Sequence, residues 1–146
     1  MTLPSESNPP RYYRLARYYR LEVPAGHGWV TENRRGAWYV HHRLTRHWRH
    51  LTKTLAKQAK LPAMPGAHIV AELMFTTGHR RDPHNWFPTA KAAVDGLVDA
   101  GVLPDDRAEL VTGPDMRLGP KVGQPCLVLH LWPTHQRTTV DRAGLP

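Results

Sequence analysis

The residues best equipped for chemistry lie in one stretch of the 146-residue chain, Arg80 to Asp106. Asp82 follows Arg80-Arg81 in a polar loop, and Asp105-Asp106 follows a later short turn. Between them, Lys91 and Asp95 are four residues apart and share a face if that segment is helical. Carboxylates from two loops at the same end of a sheet and helix can converge on one Mg2+, an ion that takes few protein oxygens and completes its shell with water and phosphate. A lysine nearby can stabilise charge on a phosphate in transfer. The same residues have a plainer use, since Asp-Pro and Asp-Asp are common in turns and Lys91–Asp95 is a common surface pair.

The other candidates are aromatic, imidazole or thiol groups. His41, His42, His47 and His50 have no carboxylate or cysteine near them in sequence, which favours a basic, DNA-facing helix surface over a zinc site. Trp48 falls on an apolar stripe and reads as core, whereas Trp38 and Tyr39, beside Arg34-Arg35, are more open to stacking on bases. Tyr12, Tyr13, Tyr18 and Tyr19 fit either use. Cys126 alternates within a hydrophobic run and reads as a buried apolar residue. Neither a Gly-rich phosphate loop nor a G-x-S-x-G element is present.

Elements that could position these residues follow from periodicity and breakers. Tyr18–Val23 alternates as a strand and stops at Pro24-Ala25-Gly26, after which 26–38 reads as a loop. Leu44, Trp48, Leu51 and Leu55 mark a helix over roughly 41–60, ended by Pro62. Ala67–Thr77 reads as a strand covered on both sides, with Ile69, Ala71, Leu73 and Phe75 on one face. Gly78–Trp86 reads as a loop, and Pro88-Thr89 opens a helix that Gly101 ends. Arg107–Thr112 reads as a short strand, Asp115–Lys121 as a loop, and Pro125–Trp132 as a strand ended by Pro133. Residues 1–10 and 134–146 are expected to be flexible tails around one domain over 11–133. The order strand, helix, strand, helix, strand, strand implies an α/β domain of α+β type, a small mixed sheet flanked by helices.

Composition narrows the class. Length favours one domain, and a single cysteine excludes a disulfide framework and a thiolate zinc cluster. No apolar run approaches a membrane span, and Met1–Pro10 lacks the basic and apolar regions of a secretory signal, so a cytoplasmic protein is expected. The formal charge is +8, but residues 1–60 carry +9 and residues 61–146 carry −1. Basic excess of this kind suits a polyanion, through counterion release from phosphates, or else is a solvated helix face.

The segment RRDPHNWFPTAKAAVDGLVDAGVLPDD, residues 80–106, resembles the RusA family of Holliday junction resolvases. The family's R-D-x-D-N element stands here as Arg81-Asp82-Pro83-His84-Asn85, its K-x-x-x-D as Lys91 to Asp95, its A-G as Ala100-Gly101 and its D-D as Asp105-Asp106. Thr31-Glu32-Asn33 and the basic helix after it look like the family's N-terminal region, so the resemblance covers most of 18–132.

The resemblance implies a RusA-like fold and a homodimeric, Mg2+-dependent endonuclease, Mn2+ being possible. Such an enzyme cuts four-way DNA junctions by paired symmetric nicks in recombination and repair, in the cytoplasm at the nucleoid, and the family is common in prophages and bacteria. Asp82 matches one catalytic carboxylate and Asp106 the essential Asp of the last pair, with Asp105 its neighbour. Lys91 matches the catalytic lysine, three residues further from the Asp82 loop than in the family. His84 replaces a family Asp. It brings no negative charge, and it either ligates the metal as a neutral donor, acts as general base, or leaves a junction-binding protein with little cleavage. The basic surface, with Arg34, Arg35, Arg43, Arg46, Arg49, Lys53, Arg80 and Arg81, is expected to hold DNA. Two alternatives are a non-catalytic DNA-binding protein of the same fold and a basic interaction module whose turn carboxylates are structural.

Overall fold

A computed structural model of the chain describes residues 17–33 and 36–134. Both expected tails apart from Thr134, together with Tyr12, Tyr13, Arg34 and Arg35, lie outside the described residues. Strand β1 is Tyr19–Pro24, helix α1 Trp38–Gln58, strand β2 Ala67–Met74, helix α2 Phe87–Asp99, strand β3 Val111–Leu118 and strand β4 Cys126–Pro133. The four strands form one mixed sheet in the order β1-β4-β2-β3. Strands β2 and β3 are parallel, whereas β4 runs antiparallel to both β1 and β2. The expected order and fold class are those of the structure.

The register explains the core. Leu127, Leu129 and Leu131 of β4 stand opposite Val23, Leu21 and Tyr19 on one side and Leu73, Ala71 and Ile69 on the other. With the period of two, these side chains share one face. They form a single core with Trp48 and Ala56 of α1 and with Ala90, Ala93, Val94 and Leu97 of α2. Trp48 is fully buried, and its indole N–H donates to the Gly28 carbonyl at 2.8 Å, so the apolar stripe is a core stripe as expected.

The opposite face is aromatic and titratable. The Tyr18 hydroxyl lies 2.6 Å from His130 Nδ1, and His130 Nε2 lies 3.0 Å from Glu72. His68 Nε2 lies 2.7 Å from Asp115 and its ring stacks on Trp132. Cys126 is buried there as expected, and burial pushes its thiol up to about 11.

Several boundaries differ from expectation: the strand expected over Ala67–Thr77 ends at Met74, and the one expected over Arg107–Thr112 begins only at Val111, because the Leu110 and Val111 N–H groups turn back to the Arg107 carbonyl. Helix α1 begins at Trp38, three residues before the expected start; Trp38 and Tyr39 are exposed, so the buried stripe that marks the helix carries no trace of its first turn. Pro83–Trp86, expected as loop, is a short 3-10 helix with Pro83 at its first position and Asp82 as its cap. Strand β3 runs through Leu118, across much of an expected loop. As the sheet's edge strand with a register shift, it accommodates Gly113-Pro114, which a central strand would not. Thr134, expected in the tail, is buried and its N–H donates to the Gly66 carbonyl at 2.9 Å.

Candidate active site

The unit β2–α2–β3 carries every chemically promising residue of the 80–106 segment. Its two connecting loops flank α2 at opposite ends, which corrects the expectation that both lie at one end. A 13-residue helix is about 20 Å long. The loop after α2 folds back along the helix, and this return brings Asp106 to Lys91.

Lys91 is the centre of the resulting cluster. Its ammonium donates to Asp95 at 2.8 Å on the same helix and to Asp106 in the following loop. Burial alone would lower the lysine pKa, but hydrogen bonds to Asp106 and Asp95 outweigh it and raise the value. The bond from Lys91 likewise holds Asp106 below the usual carboxylate range. Asp105 sets the loop, its Oδ1 accepting the Asp106 N–H at 2.7 Å while Arg107 approaches Oδ2 at 3.2 Å.

Asp82 and His84 belong to a different local structure. Asp82 Oδ1 accepts the His84 N–H at 3.1 Å, capping the short helix that leads into α2, and both side chains are exposed. The fold therefore brings Lys91, Asp95 and Asp106 together, and it shows no hydrogen bond or ion pair from Asp82 or His84 to that cluster. Among the described residues no three His, Cys, Asp or Glu side chains are gathered at metal-binding range. The donors still suit a hard cation in kind. Asp82, Asp105 and Asp106 are carboxylates on or near the surface, and Mg2+ takes one or two such ligands with water and phosphate.

The expected DNA-binding residues divide into two groups. Arg49 grips Asp99 of α2 with two bonds, at 2.5 and 2.9 Å, and Lys53 adds to the field on the same carboxylate. The bond from Arg49 holds Asp99 below its usual range. Asp95 and Asp106 also act on the Arg49 charge. Arg81 donates to the Thr77 and His79 carbonyls and the Thr77 hydroxyl, and its guanidinium lies 3.9 Å over the Phe75 ring. These cations shape the protein. Arg43, Arg46 and Arg80 are exposed, with no carboxylate partner among the described residues.

Asp99 escaped the sequence reading, although a signal was available. Lys91, Asp95 and Asp99 fall at i, i+4 and i+8, one stripe of α2. The His68–Asp115 and His130–Glu72 pairs were also unforeseen, because both join residues on different strands.

No family model matches the chain, and no curated protein matches it. The described part of the chain has no helix long and apolar enough to cross a membrane.

Proposed function

We propose that this chain is a metal-dependent endonuclease that nicks branched DNA, four-way junctions above all, acting as a homodimer in recombination and repair. One observation carries the reading. The chain folds back after α2 to set Asp106 and Asp95 around the ammonium of Lys91, an arrangement suited to a phosphate and a divalent ion. The likeness of residues 80–106 to the RusA pattern supports it further. Paired nicks on a near-two-fold substrate suit a two-fold protein.

In this reading Asp82 and Asp106 hold Mg2+ or Mn2+, with Asp105 and His84 as the neighbouring donors. When bound, the ion supplies a bound water of lowered pKa and polarises the scissile phosphate. Lys91 meets the charge that develops on the phosphate oxygens. Asp95 positions Lys91, and Asp105 orients the backbone of Asp106. Arg43, Arg46 and Arg80 supply the positive surface that offsets the carboxylates and holds DNA near them.

The test is nicking of a mobile four-way junction by the purified chain with Mg2+ or Mn2+. Symmetric paired nicks, lost in Asp82→Asn and in Asp106→Asn, are expected. Asn at 82 keeps an acceptor for the His84 N–H, so that loss would report on chemistry rather than on the cap. Tight junction binding without cleavage under either ion would establish the binding-only reading. Absence of both binding and salt dependence would leave an interaction module.

A further inference from the structure

The most exposed large hydrophobic side chain among the described residues is Trp38, 78 % accessible, with Tyr39 beside it at 59 %. Soluble proteins bury most of their tryptophan surface, and a contiguous open aromatic pair marks an interaction site. The two rings meet edge to face with centroids 6.3 Å apart, and the His42 ring lies 6.4 Å from Trp38. Exposed Arg43 and Arg46 follow within two turns. Across its 21 residues α1 contains no Asp or Glu.

Open π faces rimmed by cations suit a ligand that is planar and negatively charged. An unpaired nucleotide has both properties: its base stacks on an aromatic ring and its phosphate meets arginine. A paired duplex keeps its bases stacked away. A second copy of α1 would bring like charges together, which opposes self-association through this patch.

The position also fits. Glu32 N–H donates to the Asn85 carbonyl at 2.8 Å, which ties the segment before α1 to the short helix capped by Asp82. Six residues carry the chain from Glu32 to Trp38, a reach of at most about 20 Å. A strand held near Asp82 lies within range of the aromatic pair.

We propose that Trp38 and Tyr39 form a stacking platform for unpaired bases, so that the DNA taken by this protein carries single-stranded nucleotides at its branch point. The setting rests on the nuclease reading, but the binding event does not.

The test uses the full chain and single-stranded oligothymidylate, with fluorescence anisotropy of a dye on the oligonucleotide as the binding readout for parent and variants, and tryptophan quenching as a second readout for the parent chain. Trp38→Ala and Tyr39→Ala are each expected to weaken binding about 5- to 150-fold. The salt slope should stay unchanged, because neither change removes a charge. Unaltered binding in both variants would overturn the proposal. So would a change from dimer to monomer in Trp38→Ala, which would assign the patch to a second copy. Quenching by anionic vesicles but not by oligothymidylate would overturn it in favour of a membrane surface. The two readings fail separately. A chain that binds oligothymidylate through Trp38 but never nicks a junction sinks only the nuclease, whereas full junction nicking with no oligothymidylate binding sinks only the platform.

Discussion

Lys91 donates to Asp106, fifteen residues further along the chain, and so pins the loop after α2 back onto the helix it has just left. The same ammonium holds Asp95 at 2.8 Å. One lysine thus fixes the distance between two carboxylates, and its raised pKa keeps it charged throughout the neutral range. Such a group can stabilise a phosphate, but it is a poor proton carrier at pH 7.

The first prediction follows from that charge. Lys91→Gln should lower junction nicking by about 100-fold or more, the usual loss when one transition-state donor is removed. Lys91→Arg should recover part of the rate, and junction affinity should change little in either variant. Single-turnover cleavage at saturating protein separates the two quantities. Equal loss of affinity and rate would show that Lys91 serves only to bind DNA.

The second prediction separates two arginines one turn apart on α1. Arg46 is exposed, whereas Arg49 is bonded twice to Asp99. A cation already neutralised in the free protein releases few counterions when DNA arrives. Arg46→Gln should reduce the magnitude of the salt slope of junction binding by about one. Arg49→Gln should leave the slope nearly unchanged and lower thermal stability slightly, since an exposed pair contributes at most about 1 kcal/mol. Binding isotherms across salt concentrations decide it, and equal slopes for the two variants would show that the ion pair opens on DNA.

The contrast between Arg46 and Arg49 shows what a sequence conceals. The succession of strands and helices along the chain was legible because it rests on local periodicity and breakers, such as the Leu44-Trp48-Leu51-Leu55 stripe and Gly101 after α2, whereas the order of strands within the sheet was not. Pairing across elements has no such local signal. Nothing near Arg49 in sequence names Asp99, and nothing near Glu72 names His130. The candidate site was legible as residue types, because Asp82, Lys91 and Asp106 stand in a spaced pattern. Its geometry was not, since it depends on how far the loop after α2 folds back. Strand β3 was misjudged beyond Thr112 because an edge position tolerates Gly113-Pro114, and edge position is a property of the whole sheet.

The third prediction concerns acid stability. A hydrogen bond from His130 lowers the Glu72 pKa below its ordinary value near 4.5, against the opposing effect of burial, and Arg20 adds to the lowering. The Tyr18 hydroxyl faces the other nitrogen of the same imidazole. A carboxylate with a depressed folded pKa contributes stability above its unfolded pKa and loses it as pH falls through the folded value. Glu72→Gln should therefore destabilise the protein by about 1.5–3 kcal/mol near neutrality, the range for a hydrogen bond to a charged group. The difference from the parent should shrink as pH falls below the ordinary value near 4.5 and through the lowered folded one. Thermal melts across that range test the sign, and a constant difference would show that the charge on Glu72 contributes nothing.

The last prediction reverses an ordinary expectation. Alanine in place of glycine inside a helix normally stabilises by about 1 kcal/mol, because glycine has more backbone freedom to lose. Gly96 lies inside α2 where the helix crosses α1, and a Cβ there would run into the Arg49 carbonyl oxygen and stand 2.9 Å from Thr52 Cβ and 3.1 Å from the Lys53 amide nitrogen. Those neighbours belong to a helix backbone and a buried β-branched residue, so they cannot swing aside as a flexible side chain would. Gly96→Ala should therefore destabilise by about 1–3 kcal/mol, the usual cost of overpacking. Spreading the helices would also pull Arg49 from Asp99, since Arg49 and Lys53 sit on the same stretch of α1. Adding Thr52→Ala to Gly96→Ala should leave the two losses simply additive, with no coupling, because alanine keeps the Cβ that clashes and the closer Arg49 carbonyl oxygen is untouched. Chemical denaturation of the two variants and Thr52→Ala alone tests that additivity. A stabilised Gly96→Ala protein would mean that the helices can separate without penalty, and that the charged seam from Arg49 to Asp99, rather than close packing, sets their spacing.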